Sequence, residues 1–515
     1  MDCRMDGAVA LEALKGLALV QSACFHLKKG YPSFHFTVNS MLENSLCLIA
    51  VVLYAAASVF AQHAPIPQQL TFTPDHGSGI YAVGDTVGWT VTPGPVAPTY
   101  AYKWTIRRNN AVVLKEGKLD LSSGRDRIEI AGDQPEMIYV AIEAYANLAS
   151  ASPDAASSAT PARVPAASSA ANYTPGSGAG AASGTAPAFV GGNAGRNTGF
   201  YAVGAAVAPT KIPLSAPRPA DFDAFWDGKL AAQAKVPINA VLAPVDTDVP
   251  GVTMSVFTLD ALGSHAHGYV AKPAREGKFP AIIQLQYAGV YALNAHADAE
   301  RAADGWLVLN VDSHDKQPSD PSGSIPQGYQ AVGNTDRERS YFLNMYLRDS
   351  RALDYLLTRP DWDGKTVVLM GGSMGGQQSI VLAGLRPDKI TAALVCVPAG
   401  ADSNGNLHGR KAGYPFWPSE DPDAMQTGLY FDTVNFASRI HAPVMAGMGF
   451  IDTVSPPAGV WTMLNQIPVP KEPLPLIDSE HDNFTFAKAM PCYNRSKEIL
   501  DVLVKGGEYK PAVQP

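Results

Sequence analysis

Hydrophobic and polar positions change rhythm twice along the chain. From about 64 to 148 apolar residues alternate with polar ones, in Val87–Val91, Tyr100–Ile106, Arg127–Ile130 and Met137–Ile142. A period of two marks half-buried strands, and Pro74-Asp75-His76-Gly77 and Ser122-Ser123-Gly124 supply turns between them. Residues 149–199 lose the pattern and consist mainly of Ala, Ser, Gly, Pro and Thr. Such a stretch buries too little surface to offset the entropy of ordering it, which predicts a flexible linker. From about 200 onward strand-like and helix-like segments alternate. Pro219–Trp226 opens a helix, with aspartates at its positive end. Strands are predicted near 238–245, 252–258, 267–272 and 280–286. Strands Trp306–Val311, Thr366–Met370 and Thr391–Val397 then interleave with helices Ser340–Leu357 and Ser373–Leu385. Two more buried strands end near Gly449 and Ile477. The pattern predicts an α/β domain over 200–515, a mostly parallel sheet with helices on both faces. A small immunoglobulin-like β-sandwich over 62–148 precedes it.

Ahead of the sandwich, Leu46–Ala61 is an uncharged apolar run, short for a membrane span, closing on Val59-x-Ala61. It reads as a secretory leader over 1–61, cut after Ala61, with Met41 as an alternative start; the rival reading is an uncleaved anchor. The expectation is a secreted or periplasmic protein, free of the membrane once cut. The length of 515 residues fits several units, and the net charge of −8 argues against a nucleic-acid partner. Beyond the leader only Cys396 and Cys492 remain, which predicts small core residues and neither a disulfide framework nor a metal motif. Trp89 and Trp104 read as sandwich core in preference to a sugar-stacking platform.

The chemistry concentrates on Val367-Val368-Leu369-Met370-Gly371-Gly372-Ser373-Met374-Gly375-Gly376. An apolar strand followed by Gly-x-Ser-x-Gly and a helix is the nucleophile elbow of α/β-hydrolases, although phosphate-binding loops also use a glycine-rich strand-to-helix turn. Gly371 and Gly375 leave room for the turn, and the N–H of Met374 is placed to meet an oxyanion. In this fold the acid and then the histidine follow the serine in the chain. Asp452 ends the Pro443–Gly449 strand region and His481 follows the Pro473–Ile477 strand, so both fall on the edge that carries Ser373. Asp452 reads as the histidine's partner, against a helix-capping role; Asp478 and Asp482 are its rivals. His441 stands at a strand's start, the wrong end. His265, His267, His296 and His314 lack zinc-motif spacing and read as surface or loop residues, so no metal and no cofactor are expected. Phe416-Trp417-Pro418 either walls an acyl pocket or covers core.

With these residues in place, residues 210–505 resemble the acetyl xylan esterase and cephalosporin-C deacetylase family of α/β-hydrolases. The resemblance rests on Pro219–Trp226, Asp349–Leu356, Gly371–Gly376, Asp452–Pro457 and His481-Asp482, all in order. It implies removal of acetyl groups from sugar hydroxyls by Ser373, Asp452 and His481. It also implies a second oxyanion N–H from the loop after Ile282–Gln286, where the family's tyrosine matches Tyr287. Three positions depart from the family: Met374 stands for glutamine, Asp482 for glutamate, and Asp312-Ser313-His314-Asp315-Lys316 occupies the place of an Arg-Gly-Gln motif. The last bears on pocket shape. The added β-domain and linker are not part of the core family, so its ring-like oligomers do not carry over and the oligomeric state is left open. Other ester substrates (feruloyl, glucuronoyl or non-sugar) and an inactive sugar-binding protein of this fold are the alternatives.

Overall fold

The computed structural model describes residues 69–148, 200–321, 325, 328–481 and 486–512. The expected leader at 1–61, the expected linker at 149–199 and Asp482 lie outside them. Eight strands build the N-terminal part: β1 (Leu70–Pro74), β2 (Ile80–Tyr81), β3 (Thr86–Pro93), β4 (Tyr100–Arg108), β5 (Val112–Lys118), β6 (Asp126–Ala131), β7 (Glu136–Asn147) and β8 (Phe200–Val207). They form one sheet of order β1-β3-β6 and another of order β2-β8-β7-β4-β5. Leu70, Val87, Trp89, Val91 and Ile128 from the first sheet share one buried cluster with Tyr102, Trp104, Ile106, Ile138, Val140 and Ile142 from the second. Two sheets closed over one apolar layer are a sandwich, with Trp89 and Trp104 inside it. One boundary differs from the sequence expectation. Phe200–Val207, assigned to the α/β domain, pairs antiparallel with β7 from Glu136↔Val207 to Glu143↔Phe200. A partner strand more than fifty residues away in the chain leaves no local sign, because pairing is a tertiary property.

The second part is a nine-stranded sheet made by β9 (Val241–Val245), β10 (Val252–Ala261), β11 (Ser264–Pro273), β12 (Phe279–Leu285), β13 (Leu307–Val311), β14 (Trp362–Gly372), β15 (Ala392–Cys396), β16 (Val444–Gly449) and β17 (Lys471–Leu476). Its order is β17-β16-β15-β14-β12-β13-β11-β10-β9, parallel from β17 to β13 and antiparallel from β13 to β9. The helices that cover it are α1 (Phe222–Gln233), α2 (Ala295–Ala303), α3 (Tyr341–Thr358), α4 (Met374–Leu385), α5 (Pro422–Gly428), α6 (Thr433–Ala437), α7 (Pro457–Gln466) and α8 (Phe486–Leu503). Strand residues alternate between two cores, as a pleat requires. Ile283, Leu309, Val367, Leu369, Val395 and Ala446 meet α3, α4 and α7, whereas Ile282, Val308, Val368, Leu394 and Met445 meet α2 and α8. Helices therefore cover both faces, as the sequence pattern predicts.

Sandwich and large sheet belong to one compact unit, Ile66–Pro515. The junction uses the outer face of β7 and β8. Ile138, Val140 and Ile142 point into the sandwich, while Met137 joins the large core and Tyr139 and Ala141 close over Ile451. On β8, a Cβ at Gly204 would stand 2.6 Å from the carbonyl oxygen of Phe450. Glycine is what lets strand and loop touch there. A disulfide joins Cys396 to Cys492, which corrects the expectation of two separate core cysteines. The pairing is invisible in the spacing because only folding brings α8 against β15.

Candidate active site

Ser373 lies between β14 and α4 with φ 53° and ψ −121°, a backbone conformation that side chains other than glycine seldom adopt. The turn is this tight because three chain segments converge on it. A Cβ on Gly371 would fall 2.3 Å from the backbone of Gly375, and one on Gly375 would fall 2.2 Å from the carbonyl oxygen of Leu285. Both glycines therefore act as the sequence reading expects, and the end of β12 lies directly against the serine turn. The N–H of Ser373 donates to the carbonyl of Cys396 (3.0 Å), which ties the turn to β15.

The histidine and the acid arrive from the next two strands. Past β16 the chain turns at Gly449, where any Cβ would be 2.3 Å from the carbonyl oxygen of Ser479, so the two loops after β16 and β17 interlock. His481 Nδ1 is 2.8 Å from Asp452 Oδ2 and its Nε2 is 2.8 Å from Ser373 Oγ. A carboxylate only accepts, so Nδ1 carries the proton and Nε2 turns its lone pair to the hydroxyl. Asp452 is buried, and its other oxygen accepts the N–H groups of Val454 (2.8 Å) and Ser455 (2.7 Å). The two roles weighed for Asp452 in the sequence are thus held at once: one oxygen closes a turn before α7, the other holds the imidazole. Of its rivals, Asp478 is exposed beside Lys488, 3.5 Å away. His441 is exposed and paired with Asp388 at 2.9 Å. The arrangement can take the proton of Ser373 as the hydroxyl attacks an electrophilic carbon.

Behind the serine lies a polar network that the sequence reading missed. Gln378, on α4 and fully buried, donates from Nε2 to the carbonyl of Gln286 (2.8 Å) and more weakly to that of Met374 (3.2 Å). Its Oε1 accepts the hydroxyl of Ser313 (2.9 Å), and the N–H of Ser313 returns to the side-chain oxygen of Gln286 (2.9 Å). The ring of bonds closes around the peptide that carries the N–H of Tyr287. A glutamine pair inside an apolar helix, Gln377-Gln378, was the available signal, since buried amides are kept only with partners. Met374 is buried, and the hydroxyls of Tyr329 and Tyr414 reach its sulfur at 3.4 and 3.2 Å. Tyr287 is partly exposed and stacks on Tyr291, with centroids 4.3 Å apart. Trp417 is buried and stacks on Phe431, so it covers core, while Phe416 is exposed.

Asp312–Lys316, at the place of the absent Arg-Gly-Gln motif, is an interior loop. Asp312 and Lys316 form a buried pair at 2.9 Å, and burial pushes the Asp312 carboxyl up to about 6 against the pull of the ammonium. Of the histidines expected at the surface or in loops, His267 is buried on β11, which corrects that reading, and His314 lies in a loop but is buried within it. Its Nδ1 meets the hydroxyl of Tyr341 (2.8 Å) and its Nε2 the carbonyl of Gly289 (3.0 Å). Burial lowers its pKa to about 4. Arg348 donates to the carbonyl of Ser313 at 2.6 Å, so the loop is anchored from α3 as well.

A profile of the family described as acetyl xylan esterase (AXE1) matches residues 213–404 and 414–492, more than half of the chain. Acetyl esterase Axe7A of Xylanibacter ruminicola is 34% identical over 280 residues, a match that spans 51% of this chain and 63% of that protein. The chain therefore matches less than two thirds of the length of that relative. Among solved structures, acetyl xylan esterase from Paenibacillus sp. R4 has 24% identity and a TM-score of 0.49, covering 56% of this chain and 98% of that one. Acetyl xylan esterase 1 from Thermoanaerobacterium sp. JW/SL YS485 has 22% identity and a TM-score of 0.48, covering 55% and 96%. With the profile running from before α1 to the first residues of α8, and so through every segment that shapes the serine turn, the chain belongs to the acetyl xylan esterase family.

Proposed function

We propose that the chain is a secreted serine esterase that removes acetyl groups from acetylated xylan, xylo-oligosaccharides or related small esters. One observation carries the proposal: in a member of this family, one imidazole meets Ser373 Oγ and Asp452 Oδ2, both at 2.8 Å. In the first step His481 Nε2 takes the proton of Ser373 as Oγ bonds to the acetyl carbon, and the carbonyl oxygen becomes an oxyanion. The N–H groups of Met374 and Tyr287 hold that charge. The bond from carbon to the sugar oxygen then breaks, and His481 returns the proton to the departing alkoxide. Water, deprotonated by the same nitrogen, attacks the acetyl-enzyme; the bond from carbon to Oγ breaks, His481 returns the proton to Oγ, and acetate and free Ser373 are released. Asp452 keeps the ring in the tautomer these transfers need and stabilises it when charged.

Secretion rests on the apolar run that ends at Ala61, and the disulfide between Cys396 and Cys492 supports an oxidising compartment. N-terminal sequencing of the exported protein should begin at Gln62. Acetate release from acetylated xylan, compared with methyl-ester and feruloyl substrates, tests the substrate class; faster turnover of either rival ester would overturn it. Ser373→Ala should lower turnover of p-nitrophenyl acetate on the order of 10⁴–10⁶-fold. Wild-type rates in that variant would refute the mechanism.

A further inference from the structure

A second cluster of chemically capable side chains lies on the hairpin of β10 and β11. His265 and His267 are two residues apart on β11, so the pleat turns both toward one face. Asp315, from the loop after β13, comes over that face. Asp315 Oδ1 is 3.1 Å from His267 Nε2 and 3.5 Å from His265 Nδ1, and one ligand atom from each of the three lies within 4.8 Å of the others. Two ligands on one tetrahedral zinc, each bound at about 2.0–2.1 Å, stand roughly 3.3 Å apart. Both carboxylate–imidazole separations match that spacing within a few tenths of an ångström. Rotation of the exposed His265 ring closes the remaining gap.

The outer contacts of these groups are those of a built site. His267 is buried, and its Nδ1 lies 3.1 Å from the hydroxyl of Thr258 and 3.2 Å from the amide of Gln317. An amide nitrogen only donates, so Nδ1 accepts from Gln317 and Nε2–H donates to Asp315; an ion at Nε2 would displace that proton, and Nδ1–H would then turn to the Thr258 hydroxyl. The second oxygen of Asp315 accepts the N–H of His265 at 3.0 Å, which locks the carboxylate plane. Asp315 thus holds His267 by its ring and His265 by its backbone, and the His265 ring shares the same oxygen. His265 and Asp315 are exposed, leaving the side open to solvent for an ion to enter and keep a water ligand.

We propose that His265, His267 and Asp315 bind a divalent transition-metal ion, best matched by Zn²⁺, at a site that shares no residue with the Ser373 centre. Two imidazoles and one carboxylate favour zinc, nickel or copper over calcium or magnesium, which require oxygen donors. The ion would pin the β10–β11 hairpin to the loop that carries Ser313 and His314. The test uses the protein without a polyhistidine tag, stripped with EDTA, desalted and titrated with ZnCl₂ in a calorimeter. One ion per chain is expected, with a Kd of about micromolar or tighter. His267→Ala and Asp315→Asn should each weaken binding at least about tenfold, and zinc should raise the thermal midpoint of the wild type but not of the variants. His265→Ala, at an exposed position, makes the same test where the buried substitution disturbs folding. Absence of saturable binding, or unchanged stoichiometry and affinity in all three variants, would overturn the proposal.

Discussion

Gln378 shows how one side chain can act at a distance from the reacting atoms. Across a trans peptide the C=O and N–H point in opposite directions, so holding the Gln286 carbonyl at 2.8 Å aims the N–H of Tyr287 the other way. On the proposed oxyanion assignment, Gln378→Leu should lower kcat for p-nitrophenyl acetate about tenfold or more with little change in KM. It should also destabilise the fold by about 1–3 kcal/mol, because the carbonyl is left buried and unpaired. Equal kcat in variant and wild type would separate Gln378 from the oxyanion site. His314 provides a residue-scale prediction in pH. Its folded pKa of about 4 lies below the ordinary 6.5, so the unfolded chain binds the extra proton between those values. The stabilisation is whole above pH 6.5 and is lost as pH falls toward 4, to a limit of about 3 kcal/mol. Urea midpoints of wild type and His314→Gln, measured from pH 7 to pH 4, should converge as the pH falls. A gap that widens would contradict the assignment.

At the scale of elements, the loop bearing Asp452 is held from both sides. Gly449 lets it touch the loop of His481, and Ile451 is buried under Tyr139 and Ala141 of β7. The sandwich is therefore a support for the acid as well as an appendage. Gly204→Val would set its Cβ within 2.6 Å of the Phe450 carbonyl and 2.8 Å of the Phe450 side chain, two residues from Asp452. Overpacking of this kind costs about 1–3 kcal/mol, and here the strain falls on the acid loop. The variant should have a lower thermal midpoint and a lower kcat at temperatures where it is still folded. An unchanged kcat would confine β8 to a packing role.

For the whole molecule, the disulfide links β15, which pairs with the end of the serine strand at Gly372↔Cys396, to α8, which follows the His481 loop. Its ends are 96 residues apart in sequence. Closing a loop of that size in the unfolded chain contributes on the order of 2–5 kcal/mol. Cys396→Ser with Cys492→Ser should lower the thermal midpoint by several degrees, and reductant should do so in the wild type only. Equal midpoints with and without reductant would show that the bridge contributes nothing.

Much of this molecule is legible in one dimension. Val367–Gly376 announces a strand, a tight turn and a helix because apolar period, glycine placement and serine chemistry agree locally. Asp452 and His481 are legible because each follows an apolar strand, and parallel strands with helical crossovers bring their carboxyl ends to one edge. What remained hidden depends on which distant segments touch. Phe200–Val207 completes a sheet begun before residue 150, Cys396 meets Cys492, and Gln286, Ser313 and Gln378 close a ring of hydrogen bonds. His265 and His267 acquire Asp315 only through the packing of the β13 loop over β11. Periodicity reports which face of an element is buried but not which partner buries it. The sequence thus determined the strand, turn and helix around Ser373, the alternation that builds the mostly parallel sheet, and the three residues facing one edge. Tertiary packing decided the partners that hold those residues in place.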